Sequence, residues 1–156
     1  MGRPLAPAGG NIIYETENFY DVLGRRIEVE DQRGNSTLFE YDQLGRVTKT
    51  TDALLYETDT IYDERGNRFQ QIMSYGAEYT YIYDGQNRLD HVDVTHEVTP
   101  VTDTTTYTYN ELGLQTQVDY PDGGRAQIFY DDLNRRNLTE VLLSGSDELD
   151  TTFTYD

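Results

Sequence analysis

The chain has 156 residues, with 12 Lys and Arg against 29 Asp and Glu, a formal charge of −17, no Cys and no Trp, and 14 Tyr. So acidic a composition excludes nucleic acid as a partner, because affinity for a phosphate backbone comes largely from Lys and Arg, and it disfavours anionic membranes for the same reason. The absence of Cys excludes a disulfide framework and thiolate metal sites. Leu, Ile, Val and Phe make up about 22% of the residues, close to the range in which a charged sequence stays disordered, so the tyrosines have to be buried for one domain to form.

Residues 1–12 read as a flexible leader, since MGRPLAPAGG has neither the basic flank nor the apolar stretch of a signal peptide. No window is long and apolar enough for a membrane-spanning helix. From residue 13 to 156 the chain reads as one domain governed by a repeat. Tyr-Asp or Tyr-Asn recurs at Tyr20, Tyr41, Tyr62, Tyr83, Tyr109, Tyr130 and Tyr155, at intervals of 21, 21, 21, 26, 21 and 25 residues.

Each tyrosine opens a predicted turn. In order these read YDVLGRR, YDQLGRV, YDERGNR, YDGQNRL, YNELGLQ and YDDLNRR. Asp21, Asp42, Asp63, Asp84, Asn110 and Asp131 stand at the first turn position, where Asp and Asn are favoured because the side chain accepts hydrogen bonds from the turn's own amides. Three residues later come Gly24, Gly45, Gly66, Asn87, Gly113 and Asn134. Gly and Asn enter the left-handed region of backbone space at least cost, so the spacing predicts a type I turn closed by a left-handed bulge residue. Arg25, Arg46, Arg88 and Arg135 follow in four of the six.

Before each turn the residues alternate with a period of two, as in Phe39 and Tyr41, Tyr79, Tyr81 and Tyr83, or Ile128 and Tyr130. That is the pattern of a half-buried strand. A second alternating run follows each turn and ends at another turn signal, such as Asp31 to Gly34, Tyr75-Gly76, Pro121 to Gly124 or Ser144 to Ser146. Each period therefore encodes two strands and two turns. The fold class predicted is all-β, with about a dozen short antiparallel strands and no helix. The two longer intervals, Tyr83 to Tyr109 and Tyr130 to Tyr155, read as hairpins with extended arms, because a strand ladder accepts insertions at its turns.

In such a meander the repeat tyrosines form a stripe on one face, about 10 Å apart given the strand spacing. Core packing accounts for the stripe, with each hydroxyl bonded to a partner. A carbohydrate stacking on exposed rings such as Tyr79, Tyr81 and Tyr107 is the alternative.

These turns, repeated at 21-residue spacing over about Tyr20 to Asp156, resemble the Rhs or YD-repeat family: bacterial Rhs polymorphic toxins, shell proteins of insecticidal toxin complexes, wall-associated proteins and the animal teneurins. The resemblance implies a long open β-sheet that spirals into a shell around a C-terminal toxin domain. It implies as partners other YD repeats and an enclosed C-terminal effector domain, or else a glycan or cell-surface partner, and a bacterial secreted or cell-surface location. The departures from the pattern are Asn110 for Asp, Asn67 and Leu114 for Arg, and Asn87 and Asn134 for Gly. The self-cleaving members carry an Asp-Pro motif after the repeats, and no Asp-Pro pair occurs here. The expectation is a fragment of a larger shell, with a four-stranded-blade β-propeller as the alternative architecture, two units making one blade.

No catalytic constellation stands out. His91 and His96 lack a third metal ligand at a suitable spacing. Carboxylate pairs such as Asp131-Asp132 and Asp147-Glu148 are expected by chance in so acidic a chain. Turn formation explains the acid residues of Asp63 to Asn67, and Asp147 to Asp150 lacks the glycine-aspartate repeat of a calcium-binding β-roll. The sequence points to no enzyme, no metal and no cofactor. The sequons at Asn35 and Asn137 matter only in a eukaryotic secretory pathway.

Overall fold

The computed structural model describes residues 16–97, 101–142 and 148–152. The predicted leader, the Ser144 to Ser146 turn, Asp147, Tyr155 and the end of the last arm lie outside these residues. Thirteen strands occur among the described residues, and no helix: β1 Glu17–Tyr20, β2 Arg26–Glu30, β3 Ser36–Tyr41, β4 Val47–Thr51, β5 Glu57–Tyr62, β6 Arg68–Met73, β7 Glu78–Tyr83, β8 Leu89–Thr95, β9 Thr102–Tyr109, β10 Gln115–Asp119, β11 Arg125–Tyr130, β12 Arg136–Leu142 and β13 Glu148–Thr152. The extended arms predicted after Tyr83 are β8 and β9, of 7 and 8 residues.

Two compact units, Met1–Thr58 and Asp59–Asp156, divide inside β5. In both, the strands are antiparallel, the sheet is open, and strand order is chain order without crossovers. The second unit runs from β6 to β13 without breaking into four-stranded blades, so the propeller alternative falls. Within each unit a hairpin pairs with the next because the repeat returns the chain to the same edge about every 21 residues.

Cross-strand partners share a face of a sheet, and the register therefore sorts the side chains. In the first unit Val29 with Thr37 and Phe39 with Thr50 lie on the tyrosine side; Glu28 with Leu38, Glu30 with Ser36 and Glu40 with Lys49 lie on the other. In the second unit one row on the tyrosine side reads Tyr107, Val118, Ala126, Val141 across β9 to β12. The opposite side carries Glu78, Asp93, Asp119 and Glu140 among Thr, Gln and His. A period of two thus puts these acids and the tyrosines on different sides, while Asp103, paired with Val94, stands on the tyrosine side.

The core is shallow. Among the described residues the buried apolar ones are Ala77, Tyr81, Val92, Val118, Ala126 and Ile128, in the second unit, and those within strands lie on the tyrosine side. Composition demanded buried tyrosines, yet Tyr41, Tyr62, Tyr83, Tyr109 and Tyr130 are half-buried, and Tyr20 on β1 is 59% exposed. The reason is architectural. A meander with nothing packed over its described face buries side chains only against their neighbours in the same layer.

Candidate functional site

The six Tyr-Asp turns join odd strands to the even strands that follow, which places them along one rim of each unit. At the first, the Asp21 carbonyl accepts from the Gly24 amide at 3.0 Å and the Asp21 amide donates to the Arg25 carbonyl at 2.9 Å. The same pair of bonds recurs at Asp42, Asp63, Asp84, Asn110 and Asp131. The fourth residue is left-handed throughout: φ is +77° at Gly24, +80° at Gly45, +89° at Gly66, +64° at Asn87, +79° at Gly113 and +60° at Asn134.

The carboxylates are consumed by the turns. Asp21 Oδ1 accepts from the Leu23 and Arg25 amides, each at 2.9 Å, and Oδ2 accepts from Arg25 Nε at 2.6 Å. Asp42 with Arg46, Asp84 with Arg88 and Asp131 with Arg135 repeat this arrangement. Asn110 makes the two amide contacts through Oδ1, to Leu112 and Leu114. Donation by the arginine's own amide, then its side chain, holds Asp21, Asp42, Asp84 and Asp131 below the usual carboxylate value. At Asp63 the partial burial that pushes a carboxyl up is outweighed by donors from Asn67, Arg65 and Gly66.

Four tyrosine hydroxyls tie their hairpins to the preceding one within a unit. Tyr41 donates to the Arg26 carbonyl at 2.6 Å, Tyr83 to Arg68 at 2.9 Å, Tyr109 to Leu89 at 2.8 Å and Tyr130 to Gln115 at 2.7 Å. The acceptor is each time the first strand residue after the preceding turn. Arginines reach forward in return: Arg25 Nη1 donates to the Asp42 carbonyl at 3.1 Å, and its guanidinium lies 4.8 Å from the Tyr41 ring centre. Arg88 lies 4.5 Å from the ring of Tyr109. Such stacks add attraction between a cation and the negative face of a ring.

Of the rings read as possible sugar platforms, Tyr81 is buried beneath the guanidinium of Arg68, 4.2 Å from the ring centre, and its hydroxyl donates to Gln71. Tyr79 and Tyr107 are half-buried. A shallow hollow of about 370 Å³ is lined by Asp63, Glu64, Arg65, Phe69, Tyr81, Ile82 and Tyr83. His91 contacts Asp90 and His96 contacts Asp103. Among the described residues no group of three or more His, Asp or Glu is arranged to hold a metal ion.

Two features of the rims escape a reading by spacing alone. Asn67 and Asn87 hydrogen-bond to one another; the available signal was that both depart from the repeat pattern in consecutive turns. On the opposite rim Leu55 is left-handed, with φ of +68°. It occupies the place held by Gly34, Gly76 and Gly123 in the equivalent turns.

Comparison with known proteins agrees with this geometry. The family profile described as RHS Repeat matches residues 20–54, which hold the first two Tyr-Asp turns. Residues 20–54 thus match an Rhs repeat. Solved structures share the repeat fold. The crystal structure of TcdB2-TccC3 aligns with 94% of this chain at 16% identity and a TM-score of 0.69. The Photorhabdus luminescens Tc holotoxin pore aligns with 81% at 17% identity and a TM-score of 0.66. The aligned stretch spans only 9% and 7% of those chains. A search of curated protein sequences gives no match.

Proposed function

We propose that this chain is a stretch of an Rhs-type shell whose work is to enclose or present a toxin or effector domain, without catalysis of its own. Its partners are then further YD repeats and the enclosed domain, in a bacterial protein that is secreted or displayed at the cell surface. The observation that carries this reading is the chain-order meander of both units, in a chain that aligns over 94% of its length with the TcdB2-TccC3 structure. The local chemistry supports it. The aspartates, arginines and tyrosines that recur are engaged in holding turns and neighbouring hairpins together, which leaves a repeat that can be extended without adding a site.

The test is protease protection in the gene product that carries these repeats. Limited proteolysis is followed on the domain beyond the repeats, in the intact protein and after that domain is expressed alone. Enclosure predicts that the attached domain survives long after the free one is digested. Equal digestion rates defeat the enclosing role.

A further inference from the structure

We infer that Asn67 and Asn87 form a matched clasp, a neutral amide pair that takes the place of an arginine clamp and holds the third Tyr-Asp turn against the fourth. The clamp it replaces is visible where the repeat is regular. Arg25, four residues after Asp21, reaches the carbonyl of Asp42 and the ring of Tyr41 in the next hairpin. Arg88 covers the ring of Tyr109 in the same sense. In the third turn that position is Asn67, whose side chain is too short to lie over the ring of Tyr83. Its Nδ2 instead donates to Asn87 Oδ1 at 2.7 Å, and Asn87 Nδ2 donates back to Asn67 Oδ1 at 3.1 Å.

The orientation of the pair is set locally. Asn67 Nδ2 also donates to Asp63 Oδ2 at 3.0 Å, and an ionised carboxylate only accepts, so this nitrogen and not the amide oxygen faces Asp63. Asn87 is the second half of the exchange. It stands where four of the six turns have Gly, and it keeps the left-handed conformation with φ of +64°. Asn is the residue that tolerates this conformation and also carries a donor and an acceptor to return. The two departures therefore act as one: where regular turns have an arginine and a glycine, two amides satisfy each other.

The sixth turn is an internal control. Asn134 fills the same left-handed place with φ of +60°, but the position corresponding to Asn67 in the fifth turn is Leu114, which has no amide to offer. Asn134→Gly should therefore leave stability unchanged or raise it, as the backbone preference alone dictates. Asn87→Gly has the same backbone benefit but removes the clasp.

The experiment is urea unfolding of the whole chain carrying N87G, N134G, N67R, or N67R with N87G. The clasp predicts that N87G unfolds more readily than N134G, and that the double variant recovers because it restores the arginine-glycine combination of the regular turns. The coupling between positions 67 and 87 should be about fivefold in the unfolding equilibrium, the order of one net hydrogen bond. If N87G is no less stable than N134G, and the effects at 67 and 87 simply multiply, the inference is overturned. Should N67R alone fail to fold, the comparison of N87G with N134G still decides it.

Discussion

The hydroxyl of Tyr41 donates to the backbone carbonyl of Arg26, 15 residues earlier, at 2.6 Å. The ring is half-buried under the guanidinium of Arg25, so one side chain holds the second hairpin to the first through both its edge and its face. Tyr41→Phe keeps the ring and loses the bond. It should cost about 1 kcal/mol, the usual net worth of one such hydrogen bond, as measured by urea unfolding. Tyr41→Ala should cost more, since the stack with Arg25 goes too. Equal losses for the two variants would mean that the hydroxyl contributes everything and the ring nothing.

Left-handed turn positions make opposite predictions for glycine and leucine. Gly24→Val and Gly45→Val force a β-branched residue into φ near +80° and should each cost roughly 1–3 kcal/mol. Nothing lies within 4 Å of a Cβ built at Gly24, so the cost there is conformational and not steric. Leu55→Gly runs the other way and should gain up to about 1 kcal/mol by removing the left-handed penalty. Melting temperatures check all three, and a destabilised Leu55→Gly would show that the leucine side chain makes up for its strain.

Gly76 combines both effects. A Cβ added there meets Glu97 Oε2 and, at 2.6 Å, Glu97 Cβ, on top of a φ of +86°. Gly76→Ala should therefore destabilise more than Gly24→Ala. Glu97→Gly in the same chain, which removes that Cβ too, should bring the loss back to the level of Gly24→Ala. If the second substitution changes nothing, the arm that carries Glu97 does not lie against this turn.

Acid should loosen the Tyr-Asp rim. Asp21, Asp42, Asp84 and Asp131 are held below their ordinary value of 3.8 by amide and guanidinium donors. A carboxyl whose folded value is depressed stabilises the fold above its unfolded value, and that contribution is lost as the pH falls through the folded value. The loss therefore falls below about pH 4, not between pH 5 and 7. Because acid also relieves the repulsion of a −17 chain, the measurement is a difference between chains. Asp42→Asn keeps an amide-accepting oxygen, as Asn110 does, but cannot titrate. Its melting temperature should fall less steeply than that of the unaltered chain from pH 4 to 2.5. Parallel curves would show that the turn carboxylates contribute no pH dependence.

The hairpins were legible in the residues because their signals are local. Asp21 and Gly24, or Asp42 and Gly45, sit three residues apart and specify a turn with no help from the rest of the chain, and Phe39 with Tyr41 carries the strand period by itself. Burial was not legible in the same way. Tyr81 is buried while Tyr41 is half-exposed, yet both stand in alternating strands, because depth depends on what lies across the strand: Val92 beside Tyr81, the bulged Val47 beside Tyr41. The partnership of Asn67 with Asn87 was hidden for a related reason. The two are 20 residues apart, and only the stacking of consecutive turns turns two separate departures into one contact.

Strand order that follows chain order has a consequence for biosynthesis. β6 needs only its chain neighbours to complete its ladder, and so does each strand after it to β12. Contacts this local favour rapid closure, and arrays of like units are stabilised largely by their nearest neighbours. A ribosome can therefore lay the sheet down hairpin by hairpin, each new tyrosine fastening to a carbonyl synthesised 15 or 20 residues before it, and no emerging strand waits for a distant partner to be made.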